Sequence, residues 1–137
     1  MNTQEVMAAL PHRYPFLMID RVTHIEEGKS AHGYKHITHN EWFISAAMPF
    51  MPDTLIIEAL AQLGAFTAIH RQPGSLGLLS SLKGVESLGR AYAGDKLDLT
   101  YEVLRSKKGF TIGKGEASVE GRVILRADEI MIYSQVE

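Results

Sequence analysis

The segment from Leu55 to Ile69 is apolar on nearly every side of a helix, and it constrains the fold more than any other part of the chain. Its polar members are few. Glu58 and Gln62 stand four apart, and Thr54 stands four before Glu58, so a helix sets the three in one stripe. A helix apolar all round needs cover all round. A carboxylate inside it is costly to bury unless hydrogen-bonded, which makes Glu58 a candidate proton donor or acceptor. The run is shorter than a membrane span and carries Glu58 and Gln62, so it reads as a core helix with no membrane insertion. Asp53 stands at the expected N-cap, the helix is predicted to end near His70, and Pro73-Gly74 breaks the chain after it.

The surrounding pattern is mostly strand. Thr3 is the predicted N-cap of a short helix ending near Leu10, which Pro11 stops. Phe16 to Ile25 and Ser30 to Thr38 read as a hairpin about the Glu26-Glu27-Gly28-Lys29 turn. A loop from His39 to Met51 leads into the central helix. Leu76 to Leu88 holds one or two short strands. Lys96 to Arg105 alternates, with Leu97, Leu99, Tyr101 and Val103 on one face, as a half-buried antiparallel strand does. Phe110 to Val119 and Arg122 to Gln135 complete the set around a Glu120-Gly121 hairpin turn. The order predicts an α+β fold, one curved antiparallel sheet wrapped around the long helix, over residues 1–137 as a single domain. The exposed edge and remaining face are closed most simply by a second copy, so a homodimer or higher homo-oligomer is expected.

Composition excludes several classes. The net charge of −2 offers no surface for nucleic acid or anionic lipid. The absence of cysteine excludes disulfides, thiol catalysis and thiolate metal sites, and fits a cytoplasmic protein. The start, Met-Asn-Thr-Gln-Glu-Val, lacks the basic and apolar regions of a signal peptide.

Three motifs carry a resemblance. Leu10-Pro11-His12-Arg13-Tyr14-Pro15-Phe16-Leu17-Met18-Ile19-Asp20-Arg21-Val22 resembles the opening of the (3R)-hydroxyacyl-[acyl-carrier-protein] dehydratases of fatty-acid synthesis. Met51-Pro52-Asp53-Thr54-Leu55-Ile56-Ile57-Glu58-Ala59-Leu60-Ala61-Gln62 resembles their central helix, and Ala93-Gly94-Asp95-Lys96-Leu97 their later Pro-Gly-Asp-Xaa-Leu. The resemblance spans essentially the whole chain. It implies a hot-dog fold, no cofactor, and a thioester on acyl carrier protein or CoA as ligand. In that family a histidine takes the proton beside the thioester carbonyl, and the helix glutamate of the other subunit protonates the leaving hydroxyl. Glu58 matches that glutamate, and Gln62 the glutamine that positions it. The family's Gly-His-Phe-Pro-Gly has no counterpart: the loop from Asn40 to Phe50 is shorter and holds no histidine. Asp53 replaces the motif glycine, where a helix end holds the thioester oxygen.

His39, just before the altered loop, is the nearest candidate for the missing base; the alternative is a surface loop histidine. Thr54 is a helix-start residue or a ligand contact. Trp42, Phe43 and Phe50 belong to the core or line an acyl tunnel. His32 and His36 share a strand face with Tyr34, a spacing too weak to specify a metal site. His12 belongs to the opening motif and reads as structural, while His24 and His70 read as ordinary surface or helix-end residues. Lys107 and Lys108 read as a solvated hairpin tip; the alternative is a basic patch for phosphopantetheine or a carrier-protein surface. Three functions remain open: a dehydratase with a rebuilt base, a thioester hydrolase that uses Glu58 without histidine, and an acyl-binding accessory subunit.

Overall fold

The computed structural model describes residues 1–9, 17–69 and 77–134. Helix α1 spans Thr3–Ala9, α2 Asp53–Ala65, and the strands are β1 Arg21–Glu26, β2 Ser30–His36, β3 Gly77–Ser87, β4 Lys96–Lys107, β5 Phe110–Val119 and β6 Arg122–Ser134. All six strands form one antiparallel sheet in the order β1-β2-β4-β5-β6-β3. The sheet curves around α2, the α+β architecture that the sequence predicts.

Strand periodicity decides what faces the helix. Leu97, Leu99 and Tyr101 of β4 are buried, as are Ala117 of β5 and Leu125, Ala127, Ile130 and Ile132 of β6. From α2, Ile56, Leu60 and Leu63 meet them at no exposure. Register shifts between Val103 and Arg105 on β4 and between Gly113 and Gly115 on β5 interrupt the ladder side by side. Bulges of this kind add twist, and here they bend the sheet where it passes the helix. Tyr101 occupies the bend. Its ring lies between Gly64 of α2 and Gly113 of β5; a Cβ at Gly64 would stand 2.7 Å from Tyr101 Cε2. The hydroxyl donates to Ile130 O at 2.8 Å. Burial pushes the phenol well above its ordinary range, so it stays a neutral donor.

Several boundaries differ from those read in the sequence. Asn2, not Thr3, caps α1: its Oδ1 accepts from Glu5 N–H at 2.9 Å, and Glu5 Oε1 accepts from Asn2 N–H at 3.2 Å. This is a reciprocal capping box. Thr3 Oγ1 instead donates to Asp20 O. β1 begins at Arg21 and β2 ends at His36. Of the one or two strands expected between Leu76 and Leu88 there is one, β3, as the first alternative had it, with a bulge between Leu79 and Ser81. Pro52, not Asp53, is the N-cap of α2; its carbonyl accepts from Leu55 and Ile56 N–H, and Asp53 is the first helical residue. Helix α2 ends at Ala65 rather than near His70. Phe66 and Thr67 N–H bond three residues back, to Leu63 and Gly64 O, and Thr67 Oγ1 also donates to Gly64 O. These bonds tighten the last turn and close the helix. His12, His70 and Pro73-Gly74 lie outside the described residues.

Candidate active site

The stripe on α2 becomes a gradient of exposure. Thr54 and Asp53 are exposed at the helix start, Glu58 is half-buried, and Gln62 is buried. Full enclosure of Glu58, expected from the sequence, is not what the single chain shows. The helix face bearing Thr54 and Glu58 stays open at its N-terminal end.

Gln62 fixes the orientation of Glu58. Met18 N–H donates to Gln62 Oε1 at 2.9 Å, and only the amide oxygen can receive it. The amide nitrogen is thereby turned toward Glu58, and Nε2 donates to Oε1 of Glu58 at 3.2 Å. A buried backbone amide thus sets a buried side-chain amide, which sets a carboxyl group on the open side. Gln62→Leu should destabilise the protein by about 1–3 kcal/mol, because it strands the Met18 N–H without an acceptor. A denaturant midpoint shift of that size checks it.

The other expected residues are not gathered here. His39 is exposed, at a turn in which Glu41 N–H donates to Thr38 O at 3.3 Å. Among the described residues no hydrogen bond joins His39 to Glu58. Phe43 is part of the core, whereas Trp42 is 49% exposed and meets the Phe43 ring edge-on. His32 and His36 do share the outer face of β2, and His32 meets His24 across the strands, but no group of three metal ligands exists among the described residues. The Lys107–Lys108 tip is exposed, as read.

Two arrangements were missed. Lys35 and Glu41 form an ion pair at 3.1 Å with both side chains nearly buried, which ties the altered loop to β2. The signal was present: Lys35 falls on the inward face of β2 between Gly33 and Ile37, where a lysine needs a partner. Arg90 stacks on Phe50, 4.0 Å from the ring centroid, a pairing between distant segments that periodicity does not reveal.

Comparison with known proteins adds the family. Residues 10–128 match the model of the FabA-like domain. The chain is 38% identical over 133 residues to the 3-hydroxyacyl-[acyl-carrier-protein] dehydratase FabZ of Bacillus subtilis, covering 93% of this chain and 94% of that one. It is 42% identical over 134 residues to FabZ of Bacillus licheniformis, covering 93% and 92%. It is also 54% identical over 125 residues to the uncharacterized protein YcsD of Bacillus subtilis, covering 91% and 95%. Among solved structures, the fold is similar to the dehydratase heterocomplex ApeI:P of Xenorhabdus doucetiae, with a TM-score of 0.82 at 22% identity, covering 96% of this chain and 91% of that one. With a family match across most of its length and FabZ relatives above a third identical, the chain belongs to the FabA-like family of hot-dog dehydratases.

Proposed function

We propose that this protein binds an acyl thioester, carried on acyl carrier protein or CoA, and interconverts its 3-hydroxyacyl and 2-enoyl forms. The observation that carries the reading is the Met18–Gln62–Glu58 chain of hydrogen bonds, which holds one carboxyl group at the open end of an otherwise apolar helix. In the forward direction a base takes the C2 proton and the C2=C3 bond forms. The C3–O bond breaks, and the hydroxyl leaves as water with a proton from Glu58. His39 is the proposed base. It is exposed, which leaves its imidazole open to a substrate or to a neighbouring subunit. The reading implies fatty-acid or related acyl synthesis in the cytosol, with no cofactor or metal.

A second copy is the proposed partner. Ten of the eleven residues of β3 are exposed, and among the described residues its outer edge has no neighbour in the sheet. Leu79, Leu82 and Val85 are 37%, 40% and 41% exposed. A long apolar edge of this kind invites strand pairing. The double variant Leu82→Lys, Val85→Lys should therefore halve the mass seen by light scattering and keep its fold. A wild-type monomer would contradict the pairing.

A second reading is thioester hydrolysis, favoured by the absence of histidine between Asn40 and Phe50: Glu58 alone could activate water. One experiment separates the readings. The purified protein and its His39→Ala variant are given 3-hydroxyacyl thioesters of CoA and of carrier protein, and enoyl formation and free thiol are followed together. Enoyl formation lost in His39→Ala supports the proposal. Enoyl formation that survives removes His39 as base. Thiol release instead supports hydrolysis. Enoyl formation only on mixing with a histidine-bearing relative makes the chain an accessory subunit, a possibility kept in view by the heteromeric ApeI:P neighbour.

A further inference from the structure

The altered loop leads into α2 through a short ribbon. Phe50 and Tyr92 are antiparallel bridge partners, Met51 N–H donates to Ala91 O at 2.9 Å, and Ala93 N–H donates to Pro49 O at 3.4 Å. On one side of this ribbon the Phe50 ring is flanked twice. Tyr92 meets it edge-on at 6.1 Å, and the Arg90 guanidinium lies 4.0 Å from its centroid. Arg90 is exposed, and Tyr92 is 46% exposed. Lys29, Lys35, Lys96, Arg105 and Arg126 have carboxylate partners; among the described residues Arg90, like the exposed Lys107, Lys108 and Lys114, has none.

Stacking fixes the plane of a guanidinium and leaves its N–H edge free. That edge matches a phosphate in two-point geometry, and the aromatic platform reduces the entropy lost on binding. The position also fits. Pro52, two residues after Phe50, caps α2, and Glu58 lies six residues further, about 9 Å along the axis. Asp53, in the first turn, offsets the positive end of the helix, which leaves the stacked guanidinium as the local cationic donor.

We infer that Arg90, held on Phe50, binds the phosphate at the far end of the pantetheine arm of the thioester. The inference rests on the reading of this chain as an acyl-thioester protein and adds a second anchor to the Glu58 site. CoA and the prosthetic group of a carrier protein both present this phosphate. Pantetheine itself and N-acetylcysteamine thioesters do not.

The test compares phosphorylated and unphosphorylated ligands on the intact protein and on Arg90→Gln. By calorimetry the wild type should bind 4′-phosphopantetheine about ten- to hundredfold more tightly than pantetheine, and Arg90→Gln should lose that preference. Raising the salt concentration should shrink it. This arm needs no turnover, so it stands even if the proposed reaction fails. In the kinetic arm, the rise in KM caused by Arg90→Gln should be larger by the same factor for a CoA thioester than for the N-acetylcysteamine thioester. Equal binding of the two ligands by the wild type would overturn the inference, as would no binding of either or an equal loss of both in the variant. An effect confined to the carrier-protein thioester would also overturn it, since Arg90 would then be contacting an acidic protein surface.

Discussion

Glu58→Gln should lower the turnover of a 3-hydroxyacyl thioester by about 10²- to 10⁴-fold, the range for loss of a positioned proton donor. Glutamine keeps the shape of the side chain, and its carbonyl can still accept the hydrogen bond from Gln62 Nε2. Glu58 is half-buried, so the neutral replacement leaves no enclosed charge without a partner. The melting temperature should therefore stay near that of the wild type. KM should change less than kcat, because the lost interaction is one made as the hydroxyl leaves. Side-by-side measurement of kcat, KM and thermal unfolding checks all three. A variant within tenfold of wild-type turnover would remove Glu58 from the chemistry.

The largest expected loss of stability lies away from the site, at Tyr101. Tyr101→Ala should cost about 3–5 kcal/mol, as deletion of a fully buried aromatic ring does. The ring fills the space between Gly64 and Gly113, and neither glycine has a side chain to move into the void. Tyr101→Phe isolates the hydroxyl. It should cost about 1–3 kcal/mol, because it removes a donor to the carbonyl of Ile130 beside the bulge. Urea unfolding of both variants is the measurement. If Tyr101→Ala fails to fold, the phenylalanine variant still reports; no loss in it would mean that the hydroxyl bond contributes nothing.

Strand identity was legible because β4 as far as Val103 and β5 obey the two-residue period, and turn residues bound the strands. The Glu120-Gly121 turn is an example, with φ of 50° and 78°. Helix ends were less legible. Asp53 and Thr3 are good capping residues by type, yet Pro52 and Asn2 occupy the caps, because a cap is decided by backbone geometry and by the reciprocal Glu5 bond rather than by residue type. The apolar run continued past Ala65, so hydrophobicity gave no sign that Thr67 would close α2 there.

At the site, the spacing of Glu58 and Gln62 gave the i,i+4 pair directly. What spacing could not give was the third member, the Met18 amide, since a contact 44 residues apart belongs to tertiary packing. For the same reason the sequence did not reveal the Arg90–Phe50 stack. The missing motif histidine was plain in the sequence; the exposure of His39 at a turn was not.

The most direct measurement of the central claim follows oxygen. An enoyl thioester is incubated with the wild-type protein in ¹⁸O-labelled water, and the products are weighed by mass spectrometry. Hydration through Glu58 predicts the label in a C3 hydroxyl of an intact thioester, and its loss in Glu58→Gln. Label in a free carboxylate, or an enoyl thioester that takes up no label with the protein alone or with a histidine-bearing relative, would contradict the account.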